Sequence, residues 1–405
     1  MDWSFLIKNK ESIHVTTDSR KVTSGSIFVA LKGEHFDGND FVDQARKDGA
    51  AYVICGENAL RDLQDLARAW RRELKTPILG ITGTNGKTTT KELCAAVLST
   101  KYNIYYTQGN LNNQIGVPLT LLSITRAHDM AIVEMGASHP GDIKELVEIA
   151  EPNFGLITNV GRAHLEGFGS FEGVMRTKAE LYDWLVHHDG IIFRNADNPY
   201  LAKMEEEAIG LLEDQELYHT GTMPEGTHLV GAYNAENVSA ALCVGHYFGV
   251  PYDQGLAAIR AYVPSNNRSQ LMQTERNTVV VDAYNANPTS MTAAINAFDT
   301  SHITHQTSNI THQSSMPKAY ILGAMRELGE YSHLEHQNIV NMLLERKADK
   351  VLLVGEEYKA TTAPYPIYDN VDALCEELKN APLTGYIILL KGSRSNQLEK
   401  AIPFL

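Results

Sequence analysis

The stretch that most constrains this chain runs from Pro77 to Lys91, Pro-Ile-Leu-Gly-Ile-Thr-Gly-Thr-Asn-Gly-Lys-Thr-Thr-Thr-Lys. The apolar run Ile78, Leu79 and Ile81 predicts a buried strand. It breaks at Gly83 and Gly86, and a helical pattern opens at about Thr88. Strand, glycine-rich turn and helix form a grip for polyphosphate. Glycines let backbone N–H groups close on the oxygens, and the helix N-terminus adds partial positive charge. Lys87 is placed to reach the terminal phosphates, and the Thr88 hydroxyl to hold a magnesium ion. The position five before Gly86 is Ile81, where the usual pattern has glycine. An ordinary strand–helix connection is the plainer alternative, but Lys87 and Thr88 directly after a strand favour phosphate.

The bulk properties narrow the field. A chain of 405 residues predicts two to four domains with ample buried core. A hydrophobic content of 43% and a charged content of 21% are those of a soluble globular protein. A net charge of −14 argues against nonspecific binding to nucleic acid or anionic membranes. Cys55, Cys94, Cys243 and Cys375 lie far apart in apolar surroundings without a Cys-x-x-Cys pair, which predicts buried free thiols. No basic-then-apolar leader opens the sequence and no apolar run reaches membrane-spanning length, so a cytoplasmic protein is expected.

Residues 1–75 show strand-like runs at Ile27–Leu31 and Ala51–Ile54, and helical spacing over Asp40–Lys47 and Ala59–Lys75. Asp18-Ser19-Arg20 with the turns around Gly25, Gly33 and Gly38 suits a diphosphate or sugar nucleotide, although such turns are more often only turns. In residues 76–264, the asparagine-rich Gly109–Pro118 reads as a loop beside the site, with a helix from Leu119. Ala131–Gly136 reads as a strand ending in Glu134, a candidate magnesium ligand opposite Thr88. Phe154–Thr158 is a further strand, leading into a turn with His164 and Glu166, where the location favours a metal or phosphate contact. Lys178, within Thr-Lys-Ala-Glu, reads as a solvated helix lysine. Asn234 and Asn237 share one face at the start of a helix. Asn234 suits a cap, and Asn237 suits a nucleobase edge.

In residues 265–405, Asn266-Asn267-Arg268 reads as a hinge carrying an arginine. Four strands follow, ending at Asp282, Gly323, Gly355 and Lys391, with helices between. That alternation predicts a doubly wound domain whose crevice lies at the strand ends. Ser301–Pro317, with its paired Ile-Thr-His-Gln around His305 and His312, reads as an insertion rather than a metal site.

Together, Gly83–Thr88, Gly109–Pro118, His164–Gly169, Asp282–Pro288 and Gly323–Gly329 resemble the Mur ligases, ATP-dependent amide-forming enzymes of peptidoglycan precursor synthesis. The resemblance spans nearly the whole chain and implies an α/β fold of three domains. These are a small UDP-binding domain (1–75), a central parallel-sheet ATPase domain (76–264) and a C-terminal Rossmann-like domain that receives the amine (265–405). Within the family, the motifs look most like the member that adds D-alanyl-D-alanine to UDP-N-acetylmuramoyl-tripeptide.

The resemblance implies roles residue by residue. Ser19 and Arg20 would contact UDP. Gly83, Thr84, Asn85, Gly86, Lys87, Thr88 and Thr89 would hold the ATP phosphates, with magnesium, two ions in all, on Thr88, Glu134 and His164. Lys178 matches the family's carbamylated lysine, a metal ligand, which reverses its reading as a solvated side chain. Asn237 would face adenine, and Arg268 and Asp282 phosphate and ribose. Asn285, Asn287, Lys391 and Ser393 would meet the amine substrate. Lys87, Lys178 and His164 are the implied catalytic groups, and a monomer is expected. Two positions depart from the pattern: Ala324 stands where aspartate is common, and Asn39 where histidine is. Rival readings are the ligase one step earlier, which adds a diamino acid or lysine, a folylpolyglutamate synthetase-like enzyme, and a nucleotide kinase or nonenzymatic switch.

Overall fold

The computed structural model describes residues 3–33, 36–209, 215–231, 233–265, 267–300, 316–348 and 350–405. Asn266 and the histidine pair His305 and His312 lie outside the described residues. The chain forms three sheets with helices between their strands. The first is a parallel sheet of β1 (Val15–Thr16), β2 (Ile27–Val29) and β3 (Tyr52–Ile54), in that order. The second contains β4 (Ile78–Thr82), β5 (Ile104–Tyr106), β6 (Met130–Glu134), β7 (Phe154–Ile157), β8 (Ile191–Asn195) and β9 (Gln215–Tyr218). Its order is β5-β6-β4-β7-β8-β9, with every pairing parallel. β4 and β6 are buried at every residue, as continuous apolar runs demand when both faces of a parallel sheet are covered.

The third sheet contains β10 (Gln270–Gln273), β11 (Thr278–Asp282), β12 (Lys318–Gly323), β13 (Lys350–Val354), β14 (Ile367–Tyr368) and β15 (Ile387–Lys391), in the order β10-β11-β15-β12-β13-β14. Only β10 runs antiparallel. Six strands thus stand where four are expected, because β10 and β14 are half-exposed edge strands without a long apolar run. One face packs a core that includes Met291, Ile295, Val340 and Leu343, and the other a core that includes Leu374, Leu378 and Leu398.

The α/β class and the three-domain architecture hold. By contacts between residues, the chain falls into two compact units. One holds Met1–Val160, Met175–His219 and Ser239–Leu256, and the other Gly161–Val174, Thr220–Val238 and Ala257–Leu405. The first two sheets therefore share a unit. Helix Ala59–Leu74 shows why. It buries the stripe Ala59, Leu63, Leu66, Ala67, Trp70 and Leu74, and ends where Lys75 turns left-handed at φ 54°. Beside that stripe, Trp70 Nε1 donates to Ile124 O at 2.9 Å and Arg68 Nε to Glu148 O at 3.0 Å. Arg71 donates to Ala150 O and Glu151 O, both at 2.9 Å, and to Asn153 Oδ1 at 2.8 Å.

Smaller expectations are corrected. The helix expected from Leu119 runs Gly116–Leu122, and Asn113 Oδ1 in the turn before it accepts from Gly116 N at 2.9 Å. The first turn of the Asp40–Lys47 helix is a 3-10 turn. Cys94 and Cys375 are buried, but Cys55 is exposed just past the end of β3, and Cys243 is half-buried.

Candidate active site

The glycine-rich turn leaves the carboxyl end of β4, the strand at which the winding of the second sheet reverses. Ligands of such sheets gather there. Gly83, at φ 145°, passes so close to Thr158 that a Cβ would lie 1.9 Å from its Oγ1. Thr158 Oγ1 donates to Asn85 O at 2.6 Å, and Asn85 N donates to Asn159 Oδ1 at 3.0 Å, so the end of β7 fixes the loop. Gly86, at φ 80°, precedes helix Lys87–Leu98. Lys87 Nζ folds over the loop and donates to Gly83 O at 2.7 Å and Thr84 O at 3.1 Å.

The register places Glu134, last residue of β6, opposite Ile81 of β4. Thr88 Oγ1 is 3.1 and 3.0 Å from the two oxygens of the buried Glu134 carboxylate. Thr88 and Glu134 are thus brought together, a hard oxygen pair suited to a cation that also takes phosphate oxygens. Among the described residues no group of three or more His, Cys, Asp or Glu forms a metal cage.

Two further side chains bear on Glu134. Asn112 Nδ2 donates to its Oε1 at 2.9 Å, and Lys91 Nζ lies 3.7 Å from Oε2 while donating to Thr107 O at 2.7 Å. Sequence reading marked the asparagine loop but missed Lys91. The available signal was its place one helical turn after Lys87 in a segment otherwise built for burial.

Lys178 lies in helix Phe171–His187 and is only 3% exposed, so its reading as a solvated lysine is wrong. Burial pushes its ammonium far below the ordinary value, and the charge of Lys87 adds to this, against the opposing pull of Asp142 and Glu180. Those two carboxylates are engaged at the start of helix Asp142–Ala150. Gly141 N and Lys144 N donate to Glu180 at 3.0 and 2.7 Å, while Ser138 N and His139 N donate to Asp142, both at 2.8 Å.

In the first sheet's region, Arg20 forks onto Asp18, with Nε and Nη2 each 2.9 Å from a carboxylate oxygen. That pairing draws the Asp18 carboxyl down to about 2. Ser19 starts the adjoining 3-10 turn. Asn39 holds its own turn to the segment after β3, accepting from Gly56 N at 2.8 Å while donating to Asp37 at 2.7 Å.

His164 and Asn237 belong to the second unit with Arg268 and Asp282. His164 Nδ1 and Glu327 Oε2 are in hydrogen-bond contact, and both backbones are left-handed, at φ 50° and 60°. Such conformations persist where surroundings over-determine them. Asn234 and Asn237 do share a face: Asn237 Nδ2 donates to Asn234 Oδ1 at 2.9 Å, and Asn234 Nδ2 to Val230 O at 2.8 Å. Arg268 lies over the Tyr284 ring at 3.8 Å, with its Nε buried and without a hydrogen-bond partner. Lys391 Nζ donates to Asp282 Oδ2 at 2.7 Å and Asn285 O at 3.2 Å, joining the ends of neighbouring β11 and β15.

A pocket of about 210 Å³ opens at the carboxyl ends of β11, β15 and β12. Asn285, Asn287 and Ser393 line it as expected, with Arg326, Glu327 and Arg394 as additions. Lys391 is not among its lining residues. Ala324, at the departure from the pattern, is fully buried, and its carbonyl accepts from Ser393 Oγ and Asn396 Nδ2, both at 2.7 Å. Its side chain therefore packs, and its main chain organises the pocket wall. The signal for Arg394 was its place beside Ser393 in Lys-Gly-Ser-Arg at a strand end.

Three family models match in sequence: the Mur ligase family catalytic domain over residues 13–92, the Mur ligase middle domain over 81–218, and the Mur ligase glutamate ligase domain over 267–394. The UDP-N-acetylmuramoyl-tripeptide–D-alanyl-D-alanine ligase of Bacillus subtilis is 32% identical, covering 96% of this chain and 92% of its own. Its namesake in Escherichia coli is 34% identical, covering 96% and 93%. The MurF ligase of Thermotoga maritima in complex with ADP superposes with a TM-score of 0.82 at 26% identity, covering 98% of both chains. The chain belongs to the Mur ligase family.

Proposed function

We propose that this chain is an ATP-dependent ligase that adds D-alanyl-D-alanine to UDP-N-acetylmuramoyl-tripeptide, giving the pentapeptide precursor of peptidoglycan. The Lys87–Thr88–Glu134 constellation at the end of β4 carries the reading. Relatives bearing that activity in their names align along almost the entire chain. ATP would phosphorylate the terminal carboxylate of the tripeptide, giving an acyl phosphate and ADP. The dipeptide amine then attacks the carbonyl carbon, and phosphate leaves from the tetrahedral intermediate.

Lys87 neutralises charge on the transferred phosphoryl group, and the loop amides of Gly83–Thr88 with Thr89 orient it. Thr88 and Glu134 would hold magnesium, with His164 and Lys178 as further ligands, and the metal would offset phosphate charge. For Lys178 that role needs a carbamate: the neutral amine adds carbon dioxide, an N–C bond forms, and a proton leaves. Its burial supports this, because the uncharged amine is the reactive form. Asn237 would face adenine, and Arg268 and Asp282 the phosphate and ribose. Ser19 and Arg20 serve the uridine diphosphate, and Asn285, Asn287, Lys391 and Ser393 the amine substrate. The reaction is assigned to the cytoplasm. Among the described residues no helix is long and apolar enough to cross a membrane.

The deciding experiment measures phosphate release from ATP and magnesium with UDP-N-acetylmuramoyl-tripeptide, with and without D-alanyl-D-alanine. Release that depends on the dipeptide, with a pentapeptide product by mass, supports the reading. Release only with a free diamino acid and the shorter precursor moves the enzyme one step back.

A further inference from the structure

The pocket in the second unit holds two guanidinium groups to which the function above gives no task, and their charges are not equivalent. Arg326 is committed: Nη1 pairs with Glu357, and Nε donates to Ser395 Oγ at 3.2 Å. Arg394 is not. Among the described residues no carboxylate lies within ion-pair distance of it. Its Nη1 donates to the Tyr284 hydroxyl at 3.2 Å, and its guanidinium stands 5.2 Å from the Tyr284 ring centroid. The ring thus steadies the arginine without neutralising it. Glu327 at the same pocket is already paired with His164. Of the charged groups lining the cavity, Arg394 alone keeps an uncompensated charge.

A guanidinium braced on one side and open on the other favours a planar anion that accepts its fork. The acceptor of the proposed reaction offers one such group, its C-terminal carboxylate. We propose that Arg394 binds that carboxylate and makes a free C-terminus a requirement for the acceptor. This assignment rests on the ligase reading above. With the carboxylate on Arg394, the amine end is left to the other residues of the same cavity, Asn285 and Asn287 among them.

The test compares D-alanyl-D-alanine with its C-terminal amide in steady-state ligation by the full chain, as wild type, Arg394→Gln and Arg394→Lys. The wild type should show a KM for the amide about 10- to 100-fold above that for the acid, as expected for losing a charge-assisted hydrogen bond. Arg394→Gln should raise KM for the acid by a similar factor, leaving kcat and the KM values for the amide, ATP and the UDP-tripeptide within a few-fold. Arg394→Lys should recover part of the preference for acid. A wild type that takes the amide as readily as the acid overturns the assignment whether or not the variants fold. So does an Arg394→Gln enzyme that keeps the wild-type preference. A wild type that ligates neither compound overturns the ligase reading, and this assignment with it.

Discussion

Lys87 serves the fold of its loop and, in the proposed reaction, the chemistry. Its ammonium closes the loop onto the carbonyls of Gly83 and Thr84, bonds that are local and replaceable by water. Lys87→Ala should therefore fold with a near-normal melting temperature while ligation falls by about a thousandfold. Near-normal turnover in a ligation assay would contradict the assignment. His336 illustrates the opposite case, structure without chemistry. Its Nε2 accepts from Met325 N at 3.0 Å and its Nδ1 donates to Ser332 O at 2.7 Å, so the neutral ring braces the segment that carries Arg326. Burial holds its pKa below the ordinary 6.5. The unfolded chain then takes up a proton that the native ring refuses, so stability present above about pH 6.5 is lost as pH falls toward the depressed value. Urea unfolding at about pH 7.5 and about pH 5.5 should show a smaller pH effect in His336→Gln than in the wild type. Residues like these set the limit of sequence reading. The strand, glycine turn and helix of Pro77–Lys91 were legible because their constraint is local. The burial of Lys178, the exposure of Cys55 and the open charge of Arg394 depend on partners far away in sequence, and no local pattern reports them.

At the scale of elements, legibility followed burial. β4, β6, β7 and β11 were visible because strands covered on both faces must be continuous apolar runs. β10 and β14 were not, because an edge strand can expose Gln270 or share its pattern with a loop. Helix Ala59–Leu74 was readable as amphipathic, but its polar contribution was hidden. Arg71 sits inside the apolar stripe, where a sequence pattern places a surface arginine. Arg71→Met would keep the packing and take a donor from Ala150 O and Glu151 O, while Asn153 Oδ1 would keep only Ile78 N. A loss of about 3 kcal/mol is expected in denaturant unfolding, since groups left unsatisfied in the interior carry their full desolvation cost. A loss below about 0.5 kcal/mol would mean that water replaces the guanidinium.

For the whole molecule, two compact units predict two melting events rather than one. Magnesium ADP should raise the transition of the first unit, which carries the loop after β4. At a hundredfold excess over its dissociation constant the gain is about 2.7 kcal/mol. Calorimetry with and without nucleotide checks this, and a single transition that moves as one would contradict it. The joint between the first two sheets has a further consequence, for inheritance. Across this joint Trp70, Arg68 and Arg71 donate to main-chain oxygens at Ile124, Glu148, Ala150 and Glu151, and to one side chain, that of Asn153. Every amino acid supplies that oxygen, so these bonds leave the receiving side chains free except at Asn153, whose amide also caps Ile78 N at 3.0 Å, and at Glu145 and Glu151, which accept from Gln64 and Arg72 of the helix. Mutation can therefore rewrite one lip of the seam while the other stays nearly fixed. A first sheet transplanted from a distant relative should dock if its helix brings the two arginines and the tryptophan with it.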